Sequence, residues 1–289
     1  MPKRRRFSAF VKILFALFLV CGVLVAGGYY VLTTVEPLKT EPEPETKCRL
    51  DLSDGKYSME LAQAVSATTV GGVAFNLDLP PEAVTVAYAT VWQETAFHNL
   101  EYGDRDSLGL FQQRPSQEWG EPEEILDPVY ASRAFYEALV EVEGWRDKPV
   151  FEAAQAVQRS ADGYAYDQHE NLSQRMNEVF TGTRGPGLTC WYDRETLASL
   201  TAGEPDTDGA EQEMTRVFGV EPSELTTTED PRTGDLGWAM ALWAVAHSEE
   251  YGLTSVSYEG RTWRASDGIE DGAEWTTADS DTGGLLVLG

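Results

Sequence analysis

The sequence predicts a mainly helical protein with an N-terminal transmembrane helix, a larger helical domain and a small C-terminal α+β unit. Three observations lead to this fold class: an uncharged apolar run near the N-terminus, helix-type spacing of apolar residues through the middle, and a tight turn between alternating residues near the C-terminus. With 289 residues, 42% of them hydrophobic, the chain can bury a sizeable core. Its net charge of -26 leaves no basic surface for nucleic acid, so we expect no nucleic-acid partner.

The N-terminal part is a basic cluster followed by apolar residues. Residues 1–12, which contain Lys3 followed by three arginines, are predicted to be a cytoplasmic tail. Residues 13–32 carry no charge and have the length of about 20 residues that crosses a bilayer core. The positive-inside rule then predicts a single-pass cell-membrane protein, with its bulk extracytoplasmic and the lipid bilayer as a partner of residues 13–32. A cleaved signal peptide is the alternative.

Residues 33–47 alternate proline and glutamate and are predicted to form an extended linker. Cys48 and Cys190 follow, and they bracket the predicted helical domain, residues 48–190. Because a non-cytoplasmic compartment is oxidising, we expect a disulfide between these two cysteines, which would mark the domain ends. Two buried free thiols are the alternative.

The bracketed domain has one segment typical of a central helix. A first helix is predicted over Lys56–Thr68, and a second runs from Pro80 to about Phe97. The second is apolar on most sides, which predicts burial on most sides. Glu94 lies near its C-terminal end, between Trp92 and Phe97, and a polar, glycine-bearing stretch without helical period follows. Three further helices are expected to begin near residues 128, 150 and 168.

The C-terminal part is predicted to be separate from the helical domain. Residues 191–213 are polar and acidic and are predicted to be a linker, and residues 214–289 a small α+β domain. In that domain Gly237–Glu250 predicts an amphipathic helix. Ser255–Trp263 predicts a hairpin with Glu259-Gly260 as its turn, and a last strand is expected near the C-terminus.

Glu94 is the candidate general acid. Cleaving a glycosidic bond requires protonating a poor leaving group, and burial near aromatic residues keeps a carboxyl protonated closer to neutral pH. A helix-end carboxylate that faces water is the alternative reading of the same position. The three histidines are scattered, and no cysteine–histidine spacing or phosphate-binding loop is present. We therefore expect no metal and no cofactor.

Four motifs follow one another after the first predicted helix. They are Glu94-Thr95, Ser107-Leu-Gly-Leu-Phe-Gln112, Leu126-Asp-Pro128 with Phe135-Tyr136-x-x-Leu139, and Ala153-Ala-Gln-Ala-Val-Gln-Arg-Ser160. This order resembles the lysozyme-like superfamily, in particular the soluble lytic transglycosylases and goose-type lysozymes. Those families have a helix-end glutamate, a Gly-Leu-Met-Gln-like turn, a helix opening with Asp-Pro, and an Ala-Ala-Tyr-Asn-Ala-Gly-like helix end. The resemblance covers about residues 57–180.

The resemblance implies a lysozyme-like helical domain and a membrane-anchored, extracytoplasmic peptidoglycan glycosidase. Such an enzyme binds peptidoglycan or a related cell-wall glycan in a cleft. It cleaves the β-1,4 bond between N-acetylmuramic acid and N-acetylglucosamine, with Glu94 acting first as acid and then as base. Lytic transglycosylases need no second carboxylate. In a two-carboxylate hydrolase the candidate partner is Asp104 or Asp106, for which turn formation is the alternative role.

The remaining candidates are groups that could bind the sugar. They are Ser107, Gln112, Gln113, Trp119, Gln155 and Gln158. Hydrogen bonds to the loop backbone, core packing and bridging between helices are their alternative roles. The sequence departs from the family where the Tyr-Asn pair becomes Val157-Gln158, since that tyrosine contacts the catalytic glutamate, and where the serine after the glutamate becomes Thr95. A catalytically degenerate domain that binds cell-wall glycan or acts as a membrane-tethered scaffold is therefore a second hypothesis.

Overall fold

The computed structural model describes residues 9–34, 45–159, 163–225, 235–268, 274–278 and 284–289. The chain divides into two compact units, residues 1–43 and residues 44–289. In the first unit the described residues form one helix, α1 (Ala9–Thr34). The predicted basic tail, residues 1–12, and the predicted linker, residues 33–47, lie largely outside the described residues.

The prediction of a transmembrane helix at residues 13–32 is wrong. Across the part of the chain that the structure describes, no helix combines the length and apolar character that a bilayer crossing demands. Such a crossing takes about 20 consecutive apolar residues. The single-pass cell-membrane localisation and the bilayer contact through residues 13–32 are corrected with it.

The second unit is mainly helical and carries two small sheets. Its strands and α-helices, in chain order, are β1 (Lys47–Leu52), β2 (Gly55–Met59), α2 (Leu61–Asn76), α3 (Pro81–Thr95), α4 (Pro122–Ile125), α5 (Pro128–Val140), α6 (Val150–Gln158), α7 (Glu170–Phe180), β3 (Leu188–Trp191), α8 (Arg194–Ala202), α9 (Thr207–Phe218), α10 (Leu236–Ala246), α11 (Ser248–Tyr251), β4 (Ser255–Tyr258), β5 (Arg261–Arg264), β6 (Thr276–Thr277) and β7 (Val287–Leu288).

Helix α3 is the central element that positions Glu94. Pro81 opens the helix and Glu82 lies in its first turn, where a carboxylate is favoured by the helix dipole. Every residue from Ala83 to Val91 is buried, because α3 packs against α2, α5, α6 and α7. The helix ends at Thr95, two residues before the predicted end, since Ala96 adopts a left-handed conformation with φ 50°. Glu94 therefore lies in the last turn.

The first sheet joins the two ends of the predicted helical domain. Its strand order is β2-β1-β3, and Cys48 and Cys190 face each other in the antiparallel pair β1–β3. They form the predicted disulfide, which closes a sequence separation of 142 residues. The helix predicted from Lys56 begins at Leu61 instead, because Lys56–Met59 pairs with β1 as strand β2. The two strands form a local hairpin with Leu52 opposite Gly55, and helix-type apolar spacing does not reveal it.

The C-terminal residues share one core with the helical part. Helix α10 is buried from Gly237 to Ala246 on all sides, so the predicted amphipathic face is absent from it. It packs against α2, α9 and β4. Trp263 Nε1 donates a hydrogen bond to the Cys190 carbonyl (3.2 Å), and Trp275 Nε1 donates to the Leu188 carbonyl (2.8 Å). Residues 48–190 and 214–289 thus belong to one compact unit rather than to two.

The segment predicted as an acidic linker, residues 191–213, is structured. It contains α8, which Asp193 caps by accepting a hydrogen bond from Thr196 N, and the first half of α9. The predicted hairpin is present as β4 and β5, which pair antiparallel on either side of Glu259-Gly260. Both turn residues have positive φ, 45° and 69°, as a two-residue hairpin turn requires.

Candidate functional site

An open groove of about 780 Å³ lies at the C-terminal end of α3. It is bounded by α3, the ends of α5 and α6, and the loop between α3 and α4. Six of the residues predicted for the site line it together: Glu94, Asp104, Ser107, Gln112, Trp119 and Gln158. The predicted helix-end glutamate and the glycine-bearing loop therefore face the same space.

The Glu94 carboxyl is half-buried and hydrogen-bonded on one oxygen. The Tyr166 hydroxyl donates to Glu94 Oε1 at 2.7 Å, and Gln158 Nε2 lies 3.3 Å from the same atom. Burial raises the pKa of Glu94 above its ordinary value, and the bonds from Tyr166 and Gln158 oppose this shift without cancelling it. The negative end of the helix dipole also disfavours the carboxylate. The site therefore holds a carboxyl that keeps its proton to a higher pH than an exposed glutamate.

Tyr166 is the functional residue that sequence reasoning missed. The family comparison expected a tyrosine within the α6 helix end, where the chain has Val157. The structure instead brings Tyr166 to the glutamate from the 3-10 segment Gly163–His169, where its side chain is 1% exposed. The signal in the sequence was Gly163-Tyr-Ala-Tyr166, which follows the same helix end a few residues later.

The glycine-bearing loop is fixed to the end of α3 by polar contacts. The Thr95 hydroxyl lies 2.9 Å from the Leu110 carbonyl, and Gln158 Nε2 donates to the Phe111 carbonyl at 2.7 Å. The Phe111 ring stacks on Phe135 of α5 with ring centroids 4.6 Å apart. The Thr95 hydroxyl thus holds the loop beside Glu94.

Left-handed backbone conformations are concentrated around this groove. Of the eight non-glycine residues with positive φ among the described residues, six lie next to it or on its loop: Ala96, Phe97, Arg105, Gln112, Glu118 and Arg159. Each such residue costs about 1–2 kcal/mol relative to a right-handed conformation. Strained backbone of this kind clusters where a site imposes its own geometry.

Two of the predicted sugar-binding glutamines lie elsewhere. Gln113 is 1% exposed and donates to the Ala131 carbonyl at 3.1 Å, which makes it part of the packing between loop and α5. Gln155 is on α6 but does not line the groove. Trp119 lines the groove and also packs partly against the core.

The two candidate second carboxylates differ in their surroundings. Asp106 accepts hydrogen bonds from Arg114 Nε (2.8 Å) and Ser116 N (2.9 Å), and it does not line the groove. Contacts with Ser116 and then Arg114 hold the pKa of Asp106 well below its usual range. Asp104 lines the groove with its side chain 94% exposed. Glu141, which the sequence gave no reason to select, lines the groove from the end of α5.

The aromatic neighbours of Glu94 in sequence pack on the opposite side of α3. Trp92 contacts Phe97 and Tyr57, with ring centroids 5.4 and 6.2 Å away, and none of the three lines the groove. The contacts of the Glu94 carboxyl that the structure shows are therefore those with Tyr166 and Gln158.

The described ranges contain no cluster of three or more histidine, cysteine, aspartate or glutamate side chains arranged to hold a metal ion. No protein-family model matches this chain, and no curated protein matches it. The function is therefore argued from the groove itself: a half-buried carboxyl with a raised pKa beside a polar, solvent-open space.

Proposed function

We propose that this protein is a glycosidase that cleaves peptidoglycan, of lytic transglycosylase or lysozyme type, with Glu94 as a single general acid and base. The observation that carries the proposal is the state of the Glu94 carboxyl. It lies half-buried in an open groove, accepts hydrogen bonds from Tyr166 and Gln158, and has a raised pKa. A lysozyme-like domain over about residues 57–180 is part of the same proposal.

In the first step the Glu94 carboxyl donates its proton to the oxygen of the glycosidic bond as that bond breaks. The carboxylate that remains is stabilised by the Tyr166 hydroxyl and the Gln158 amide, which donate to it in place. In the second step Glu94 takes a proton from the hydroxyl or water that attacks the sugar carbon. The carboxyl is thereby returned to its starting form.

A mechanism with one carboxylate suits the groove better than one with two. Asp106 is held in an ion pair with Arg114 and is not in the groove. Asp104 and Glu141 line the groove, but the Asp104 side chain is almost fully exposed. Attack by a group of the substrate itself, as in the transglycosylases that the sequence resembles, needs no second carboxylate.

The groove chemistry fits amino sugars. The Ser107 hydroxyl and the amides of Gln112 and Gln117 line it, and such neutral groups pair with sugar hydroxyl and N-acetyl groups. Trp119 supplies an aromatic surface on which a sugar ring can stack. Binding without turnover was suggested by the tyrosine missing from the α6 helix end. The contact between Tyr166 and Glu94 removes that reason for preferring it.

The test compares cleavage of purified peptidoglycan by the full chain and by Glu94→Gln. We expect the variant to lose about 10²–10⁴-fold in rate, the contribution typical of a general acid–base group. Glu82→Gln is the matched control, because Glu82 is an exposed glutamate at the other end of the same helix. Its rate should stay unchanged.

The reaction products and the bound fraction complete the test. Product mass separates the two enzyme types, since an anhydro sugar is lighter than the hydrolysed product by one water. Equal cleavage by wild type and Glu94→Gln would contradict the proposal. Wall binding without cleavage by either protein would support the binding hypothesis instead.

A further inference from the structure

Three arginines line the groove around the proposed catalytic carboxyl. The chain has 48 acidic and 22 basic residues, yet the groove lining has three arginines for its three carboxylates. The arginines are Arg105, Arg114 and Arg159. An anion is repelled by the chain as a whole, so local guanidinium groups are needed if an anionic substrate is to enter here.

Arg159 differs from the other two arginines in having no carboxylate partner among the residues that the structure describes. Arg114 Nε bonds to Asp106 at 2.8 Å, and Arg105 Nε lies 3.8 Å from an Asp104 oxygen. Arg159 is exposed, and none of the ion pairs among the described residues includes it. It directly follows Gln158, whose amide touches Glu94. A guanidinium group without an ion pair among the described residues therefore lies near the proposed catalytic carboxyl.

The backbone at Arg159 is unusual for an arginine. The residue ends α6 in a left-handed conformation, φ 52° and ψ 35°, with its N–H bonded to the Gln155 carbonyl. Helices that end this way usually have glycine at this position, since glycine has no Cβ to strain. A long cationic side chain held at a strained position that faces a groove points to a role for that side chain.

We propose that Arg159 determines substrate specificity by binding a carboxylate carried by the glycan, an inference that rests on the proposed glycosidase function. The planar guanidinium can donate two parallel hydrogen bonds to a carboxylate. A peptidoglycan strand carries carboxylates from two sources: the attached peptide or, where no peptide is attached, the free lactyl group of N-acetylmuramic acid. A plain N-acetylglucosamine oligomer carries neither. The enzyme should therefore prefer acidic glycan to neutral glycan because of Arg159.

The experiment measures binding on the full chain with Glu94→Gln, so that no ligand is consumed. Three probes are used: glycan strands with their peptides, strands freed of peptide so that the lactyl carboxylate is exposed, and N-acetylglucosamine oligomers. We expect Arg159→Gln to weaken binding of a carboxylate-bearing probe by about 10- to 100-fold, the loss of one charge-assisted contact. Binding of the neutral oligomer should stay the same.

The two carboxylate sources give different patterns. A loss confined to peptide-bearing strands assigns the contact to the peptide, and a loss on the peptide-free strands assigns it to the lactyl group. Arg159→Lys should keep part of the affinity. Arg194→Gln is the matched control, since Arg194 is exposed, lies outside the groove on α8, and has no ion pair among the described residues. It should change nothing.

A stability measurement separates a binding role from a structural one. Arg159→Gly should unfold at the same or a higher temperature, because glycine relieves the left-handed strain, and it should bind acidic glycan as weakly as Arg159→Gln. Equal losses on neutral and acidic probes, or no loss on any, would overturn the proposal. Binding that depends on Arg159 in a protein that cleaves no glycan would leave this inference standing and refute the glycosidase.

Discussion

The groove around Glu94 and the interior formed by α2 and α10 differ in packing, charge and backbone conformation. Where α2 meets α9, a small residue allows close packing, because a Cβ on Gly72 would collide with the Val217 side chain. Helix α10 is buried throughout. The groove instead gathers a carboxyl, three arginines and left-handed backbone. Stability should therefore come mainly from the first region and function from the second.

Two titratable groups show the same difference at the level of single side chains. His247, at the end of α10, is stacked on Trp243, and burial lowers its pKa to about 4. Glu94 is also biased toward its neutral form by burial. The imidazole Nδ1 is 2.9 Å from the Trp243 carbonyl inside the core, while the carboxyl opens to the groove. Desolvation favours the neutral form of both groups, but His247 is only 5% exposed whereas Glu94 lines the open groove.

The largest effect on stability is expected from Trp263→Ala in the shared core. Trp263 is fully buried, and its Nε1 donates to the Cys190 carbonyl, so we expect a loss of about 3–5 kcal/mol in the free energy of unfolding. Urea unfolding measures this loss. The rate per folded molecule should be unchanged at a temperature where the variant is folded. A fall in the rate per folded molecule would contradict the assignment of stability to the core and of function to the groove.

A smaller effect that joins the two regions is expected from Thr95→Val. The variant loses the hydroxyl contact with the Leu110 carbonyl, so stability should fall by about 1–3 kcal/mol and the glycine-bearing loop should shift from Glu94. Cleavage should slow even at full folding. Thr90→Val is the control, because the Thr90 hydroxyl is buried in the same helix and bonds only to the Val86 carbonyl. An unchanged rate in Thr95→Val would mean that the loop is held by packing alone.

The smallest effect is a gain of stability in Glu94→Gln at neutral pH. The folded-state pKa of Glu94 is raised, so the wild type loses stability as the pH rises from 4.5, the ordinary value, through the folded value. Glu94→Gln avoids this loss, and the difference should vanish below pH 4.5. Glu82→Gln should change in the opposite direction, by about 0.3–1 kcal/mol, because Glu82 is favoured at the helix N-terminus. If the free energy of unfolding depended on pH in the same way in wild type and Glu94→Gln, the carboxyl would be exposed to water.

The sequence predicted those elements whose start or turn is specified by residues close together in the chain. Helix α5 begins at Pro128 with Asp127 accepting a hydrogen bond from Val129 N, as the Asp-Pro pair indicates. The hairpin turn at Glu259-Gly260 is equally local. Strand β3 was missed, since it is short and its partner β1 lies at the far end of the domain. The local hairpin of β1 and β2 was missed because Lys56–Met59 was assigned to the first helix. The sequence indicated that β1 and β3 meet only through the pair of cysteines from which the disulfide was predicted.

In the site, too, only residues with a local signal in the sequence could be predicted. Glu94 could be selected because a helix end and a polar loop meet in the sequence. Tyr166 and Glu141 reach the groove from other segments, which needs the folded arrangement of α5, α6 and the segment after it. Gln113, adjacent to a groove residue, turns into the interior instead. Neighbours in a loop can face opposite sides, and composition does not tell which.

The central claim is that the Glu94 carboxyl keeps its proton longer than an ordinary glutamate. The most direct measurement is an NMR titration of the full chain with carbon-13-labelled glutamate, assigned by the signal missing in Glu94→Gln. We expect Glu94 to titrate above 4.5, and higher still in Tyr166→Phe, because the tyrosine hydroxyl stabilises the charged form. Titration at or below 4.5, unmoved by Tyr166→Phe, would contradict the account.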